Sequence, residues 1–239
     1  MNVETAHPSE RERAAAAIYR AGLGGEGFDF VRGGGELLAA GVPRFVFLAG
    51  RDWPRFNAAA GLERLEALRS AEWLHKAGVF WKEFDFGRGM AALCRLGDPE
   101  YLYRAGRFWR GFDYERGLGA LIEIGQARYL YYAGQEWKTV DFARGLAALL
   151  ATGSAEYVFY AGAHWREFDY SRGFAALLAA GDSEFLYKAG TLWREFDYSR
   201  AWRCLERDVT GGTEWRGRAL SQPRWRSALR ALWKEHAGA

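Results

Sequence analysis

The stretch YVFYAGAHWREFDYSRGFAALLAAGDSE, residues 157–184, echoes the two stretches before it, YLYYAGQEWKTVDFARGLAALLATGSAE at 129–156 and YLYRAGRFWRGFDYERGLGALIEIGQAR at 101–128. Extending this 28-residue frame outward aligns the chain without a gap from Ala17 to Gly212, in rows that start at 17, 45, 73, 101, 129, 157 and 185. Self-similarity at one fixed period marks a repeat architecture, in which each unit is too small to bury its own apolar face and leans on its neighbours.

Every row carries two helix signals. Asp98-Pro99-Glu100 opens a first helix with an N-cap acid, a proline in the first turn and an acid near the positive dipole end. A second N-cap column follows at Asp29, Asn57, Asp85, Asp113, Asp141, Asp169 and Asp197, and the helix after it stops at Gly41, Gly97, Gly125, Gly153 or Gly181. The expected fold is therefore all-α, a right-handed-type α-solenoid of seven 28-residue helix-turn-helix repeats with N- and C-terminal capping helices. It is read as one repeat domain: a cap in 1–16 opened by the capping box Ser9-Glu10-Arg11-Glu12, the rows over 17–212, and a basic amphipathic cap over 213–239. Within that cap residues 223–236 form an amphipathic helix, read as a lid over the open end or as an attachment to membrane or nucleic acid through its arginines.

Three columns read as structural. Trp53, Trp81, Trp109, Trp137, Trp165 and Trp193 fall at helical spacing on the apolar side of the first helix and read as core. The glycine of the Ala-Gly pair (Ala105-Gly106 and its equivalents) lies mid-helix, where it costs about 1 kcal/mol, which predicts a neighbouring helix passing too close for a Cβ. The same reading covers Gly33, Gly61, Gly89, Gly117, Gly145 and Gly173. Charges at the first helix ends, Glu72, Glu100, Glu156 and Glu184 at the start and Lys82, Arg110, Lys138, Arg166 and Arg194 at the finish, suit the helix dipole.

Composition narrows the classes. The chain is 49% hydrophobic and 16% aromatic with a formal charge of +3, and residues 213–239 hold six Lys/Arg against two Glu, which accounts for more than the whole excess. A nucleic-acid binder usually spreads its basic charge across the fold. Two cysteines, Cys94 and Cys204, are too few for a secreted disulfide framework. The start MNVETAHPSERER lacks a signal-peptide core, and no apolar run approaches the ~18 residues of a membrane span, so a cytoplasmic protein is expected. His7, His75, His164 and His236 share no metal or catalytic spacing, and there is no HExxH, paired CxxC, P-loop or GxSxG. No catalytic residue, metal or cofactor is expected.

Ala-Gly-x-x-Trp in the first helix resembles the Leu-Gly-x-x-Tyr of tetratricopeptide and Sel1-like repeats, and the alanine-rich second helix, as in Gly117-Leu118-Gly119-Ala120-Leu121, is similar to that superfamily. The period is shorter here and no proline closes the repeat. The resemblance implies a helical scaffold that binds peptides or proteins.

One column resists a bland account. Arg32, Arg88, Arg116, Arg144, Arg172 and Arg200 lie three residues after the N-cap, where the dipole disfavours a cation. They point away from the apolar stripe, among small residues such as Gly119, Ala120, Ala147 and Ala175, as on a concave side. Two readings stay open: a ladder pairing each Arg with the Asp of its own or the next repeat, or a row of guanidinium groups along a groove. A second column, Tyr19, Phe47, His75, Tyr103, Tyr131, Phe159 and Tyr187, reads as inter-repeat packing, or as rings on which peptide side chains or bases stack. The candidate binding residues are thus Arg88, Arg116, Arg144, Arg172, Arg200, Tyr103, Tyr131 and Tyr187. The expected partner is a protein or acidic peptide, with a nucleic-acid-binding repeat or a structural assembly subunit as alternatives.

Overall fold

The computed structural model describes residues 9–208 and 211–237; His7 and Thr210 lie outside them. Among the described residues there are sixteen helices and no strand. They run as α1 (Glu10–Gly24), α2 (Phe30–Ala40), α3 (Pro43–Asp52), α4 (Ala58–Ala67), α5 (Ala71–Phe80), α6 (Phe86–Leu96), α7 (Pro99–Phe108) and α8 (Tyr114–Ile124). They continue as α9 (Ala127–Glu136), α10 (Phe142–Ala151), α11 (Ala155–His164), α12 (Tyr170–Ala180), α13 (Ser183–Leu192), α14 (Tyr198–Arg207), α15 (Gly212–Ser221) and α16 (Pro223–Ala237). The helices gather into two compact units, residues 1–120 and 121–239, each a run of tandem hairpins in the manner of an α-solenoid. No helix is long and apolar enough to cross a membrane, among the described residues.

Local signals place the boundaries. The second-helix N-cap carboxylates accept backbone N–H bonds of 2.9–3.0 Å from the residue three positions on, as Asp85 does from Arg88 and Asp141 from Arg144. Gly41, Gly97, Gly125, Gly153 and Gly181 all take positive φ, closing the hairpins in the left-handed region. At the same place in the second row stands Arg69, forced to φ 52° without a glycine's freedom. The N-terminal cap departs from expectation. Ser9 does form the reciprocal capping box with Glu12, but α1 then runs straight through the start of the first row to Gly24. Cap and first repeat helix are one helix.

The tryptophans do more than fill a core. Trp53, Trp81, Trp109, Trp165 and Trp193 are the residues at which their helices end, with extended backbone that throws the indole towards the preceding repeat. There the indole N–H donates to a backbone carbonyl: Trp81 to Phe47 (2.9 Å), Trp109 to His75 (3.0 Å), Trp165 to Tyr131 (3.0 Å) and Trp193 to Phe159 (3.0 Å). The ring lies flat on the mid-helix glycine of that same helix. A Cβ on Gly22, Gly50, Gly78, Gly134 or Gly162 would stand under 3.0 Å from the indole of Trp53, Trp81, Trp109, Trp165 or Trp193 respectively. The glycines therefore make room for the next repeat's tryptophan ring, and not for a passing helix backbone as the sequence suggests. The second glycine column has a different neighbour, the phenylalanine of its own hairpin turn: Phe28 over Gly33, Phe84 over Gly89, Phe168 over Gly173.

The C-terminal region holds the expected helix as α16, preceded by a second helix, α15. Trp225 of α16 occupies the socket that an eighth repeat's tryptophan would fill: it is fully buried, lies on Gly190 and donates to the Tyr187 carbonyl at 3.1 Å. Beside it the Arg224 guanidinium donates to the Thr191 and Trp193 carbonyls at 3.1 and 2.5 Å, capping the end of α13.

Candidate binding face

Helices α2, α6, α8, α10, α12 and α14 carry the arginine column, and the first turn of each fixes its geometry. In the first unit Arg32, Arg88 and Arg116 are exposed; in the second, so are Arg144, Arg172 and Arg200. The proposed ladder of Arg and Asp side chains does not form: among the described residues no ion pair joins an arginine of this column to an aspartate of the N-cap column. The physical reason is that the Asp oxygen faces inward to accept the arginine's own backbone N–H, at 3.0 Å for Arg116, Arg144 and Arg172. The side chain beyond that N–H is left to point outward. Arg32 is the exception that finds an acid on its own helix, Glu36 at 2.9 Å, and Arg200 lies over the ring of Phe174 at 5.5 Å.

What surrounds these guanidinium groups is small. Ala147 and Ala151 on α10, and Ala175 and Ala179 on α12, are exposed on the same helices, and neither helix contains an acid. Unit 1 is more mixed. Glu66 of α4 is bridged by Arg95 of α6 at 2.5 Å, and this bond, with Arg88 nearby, holds its carboxyl below the usual carboxylate range.

The aromatic column sits elsewhere, on the odd-numbered helices, and is not an open stacking platform. Tyr103 and Tyr131 are buried and Tyr187 half-buried. The next repeat covers the column with the last residue of its first helix. Tyr19 donates to Asp52 at 2.5 Å, Phe47 meets Phe80 edge-on at 6.0 Å, and the Tyr131 hydroxyl and His164 Nδ1 are hydrogen-bonded at 2.8 Å. Tyr187 is enclosed by Trp215 and Trp225, with ring centroids 5.3 and 6.2 Å away. Burial raises the Tyr131 hydroxyl above its ordinary value, reinforced by the neighbouring tyrosines Tyr132 and Tyr160. The arginine and aromatic candidates thus belong to different helices, and the tyrosines are spent on packing.

The basic residues after the tryptophans also do more than sit at helix ends. Arg110 reaches back over Phe86 (5.6 Å) and donates to the Lys82 carbonyl at 3.2 Å, and Arg166 lies over Phe142 at 5.4 Å. Each cation lids the first aromatic of the preceding second helix.

Comparison with known proteins gives no matching family model, no matching curated protein and no matching solved structure.

Proposed function

We propose that this chain is a non-catalytic helical-repeat scaffold of a cytoplasmic kind, related in design to tetratricopeptide and Sel1-like repeats, that holds a protein or acidic peptide partner against the arginine-bearing face of its second helices. The observation that carries this reading is the state of Arg144 and Arg172 in the second unit. Both are exposed, while the Asp three residues before each accepts that arginine's backbone N–H through Oδ1. An exposed guanidinium among small side chains offers five donors, in a planar fork that suits carboxylates.

A second reading is nucleic-acid binding. It is favoured by α10 and α12, whose charged residues are arginines alone, and by the Arg226, Arg230 and Lys234 face of α16. Replacing Arg116, Arg144 and Arg172 together by Ala separates the possibilities. Capture of partners from the native host, with and without nuclease, is expected to lose a protein partner in the triple variant while its melting temperature is unchanged. Loss on nuclease treatment alone, with affinity falling steeply with salt, selects the second reading. Unchanged capture would leave the row without a binding role.

A further inference from the structure

A repeat protein contains its own controls, since every position is built several times. Position 34 is one such place. In the second to sixth rows it holds Leu62, Met90, Leu118, Leu146 and Phe174, all buried, the last only 5% exposed, and in the seventh it holds the half-buried Trp202. In the first row it is Gly34, and a Cβ there would meet nothing within 4 Å. The second row then omits two side chains that would lie over the gap. Ala60 stands in the arginine column, where Arg200 covers Phe174. Pro54 stands in the basic column, where Arg110 and Arg166 cover Phe86 and Phe142, the equivalents of Phe30.

Three departures from the repeat, in two adjoining rows, open one cleft of about 590 Å³ between α2 and α4. That lies within the roughly 300–1,000 Å³ of ordinary ligand sites. Phe28, Phe30, Phe56 and Leu38 form its apolar wall, and Val31, 89% exposed, extends that wall onto the rim. The charge at the mouth is altered as well. Arg55 replaces the Glu found at Glu83, Glu167 and Glu195, and Asn57 replaces the Asp of the other rows. The acid that remains on the lining, Asp29, is engaged through Oδ1 with the Val31 and Arg32 N–H groups.

We infer that the cleft between α2 and α4 is a peptide pocket that takes one large apolar side chain, aromatic or leucine-like, flanked by acidic residues of a partner protein. The occupant's shape follows from the chain itself: the same space is filled by Phe174 in the sixth row and by leucine or methionine in the second to fifth. Its flanking charge is argued from Arg55, a cation where most rows place an acid or a neutral residue. A single anchor in an apolar pocket beside a charged rim is a common way for a peptide to gain most of its affinity from one residue. No arginine of the row lines the cleft, and its test is independent of that row.

The probes are fluorescein-labelled pentapeptides Asp-Glu-X-Glu-Asp, with X being Phe, Trp, Leu or Ala, and a Lys-flanked Phe peptide, titrated by anisotropy against the full chain. Phe, Trp or Leu peptides are expected to bind at least about tenfold more tightly than the Ala peptide, the scale set by burying one such side chain. Gly34→Leu fills the gap as Leu62 does. It is expected to raise the melting temperature and to weaken the best peptide about tenfold or more, so that loss of binding cannot be ascribed to misfolding. Arg55→Glu should weaken the acid-flanked peptide and favour the Lys-flanked one, whereas the triple Arg116, Arg144, Arg172 to Ala variant should leave both unaffected. The inference is overturned if no peptide of the series binds, if affinity does not depend on X, or if Gly34→Leu binds as the parent does.

Discussion

Gly162→Ala adds one methyl group to the middle of α11, and on helix propensity alone it should stabilise by about 1 kcal/mol. The structure reverses the sign. The new Cβ would lie under 3.0 Å from the Trp193 indole. That ring cannot step aside. It is fully buried, its N–H donates to the Phe159 carbonyl at 3.0 Å, and Phe168 and Tyr170 press on it edgewise at 5.2 and 5.8 Å. Overpacking costs about 1–3 kcal/mol. A displaced indole N–H left unpaired adds roughly another 1–3 kcal/mol. After the propensity gain, a net loss of about 3 kcal/mol is expected, within a range of roughly 1–5. The control is Gly145→Ala. Its row has Val140 where others have Phe, and a Cβ there meets Trp165 at 3.7 Å and Val140 at 3.9 Å, which is ordinary contact. Gly145→Ala should therefore stabilise by about 0.5–1 kcal/mol. Urea unfolding of both variants, with m-values compared, reads the difference. Equal effects in the two glycines, or a stable Gly162→Ala, would refute the socket argument.

Other consequences are more briefly tested. Arg69→Gly relieves a positive φ and should stabilise by about 1 kcal/mol in the same urea assay, whereas Arg69→Ala should not. Trp225→Ala empties the last socket and should cost about 3–5 kcal/mol, while Trp225→Phe, which loses the bond to Tyr187, should cost less. His75 is buried, and burial, followed by the cations Arg104 and Lys76, pushes its imidazole from 6.5 down to about 4. The unfolded chain then binds a proton that the folded chain refuses. Stability attributable to His75 is complete above pH 6.5 and is lost as pH falls from there towards about 4. His75→Phe, the residue at Phe47 and Phe159, should flatten thermal stability across that window.

The rows were legible because spacing is carried by the chain itself: Asp at one phase and Gly at another are local devices, and each cap forms within its own helix. The long-range pairings were not. Gly162 announces that a Cβ is excluded, but whether by backbone or ring depends on which phase of the next row faces it, and a periodic sequence is equally periodic at every phase. The Asp169 and Arg172 pair misleads for a related reason. Opposite charges three apart suggest a side-chain bridge, yet the same spacing sets the carboxylate against the arginine's N–H, and the cap bond takes the oxygen. The aromatic column left packing and ligand stacking both open, because a lone helix does not show what covers it; Phe80 and His164, supplied by the following repeat, close over Phe47 and Tyr131. The cleft at Gly34 did have a signal. Gly34, Pro54 and Ala60 each break a column, and deviations from a repeat, read together, could have located it before any coordinates.

Because the indoles of Trp53, Trp81, Trp109, Trp165 and Trp193 point backward into the repeat before them, these junctions have a direction. A row carries its own plug at one end and the seat for a successor at the other, so whole 28-residue cassettes can be gained or lost with no mismatch at the seam. Length variants of this protein should accordingly differ by integral rows. A splice at any other interval would pair an indole with a side chain instead of an empty seat.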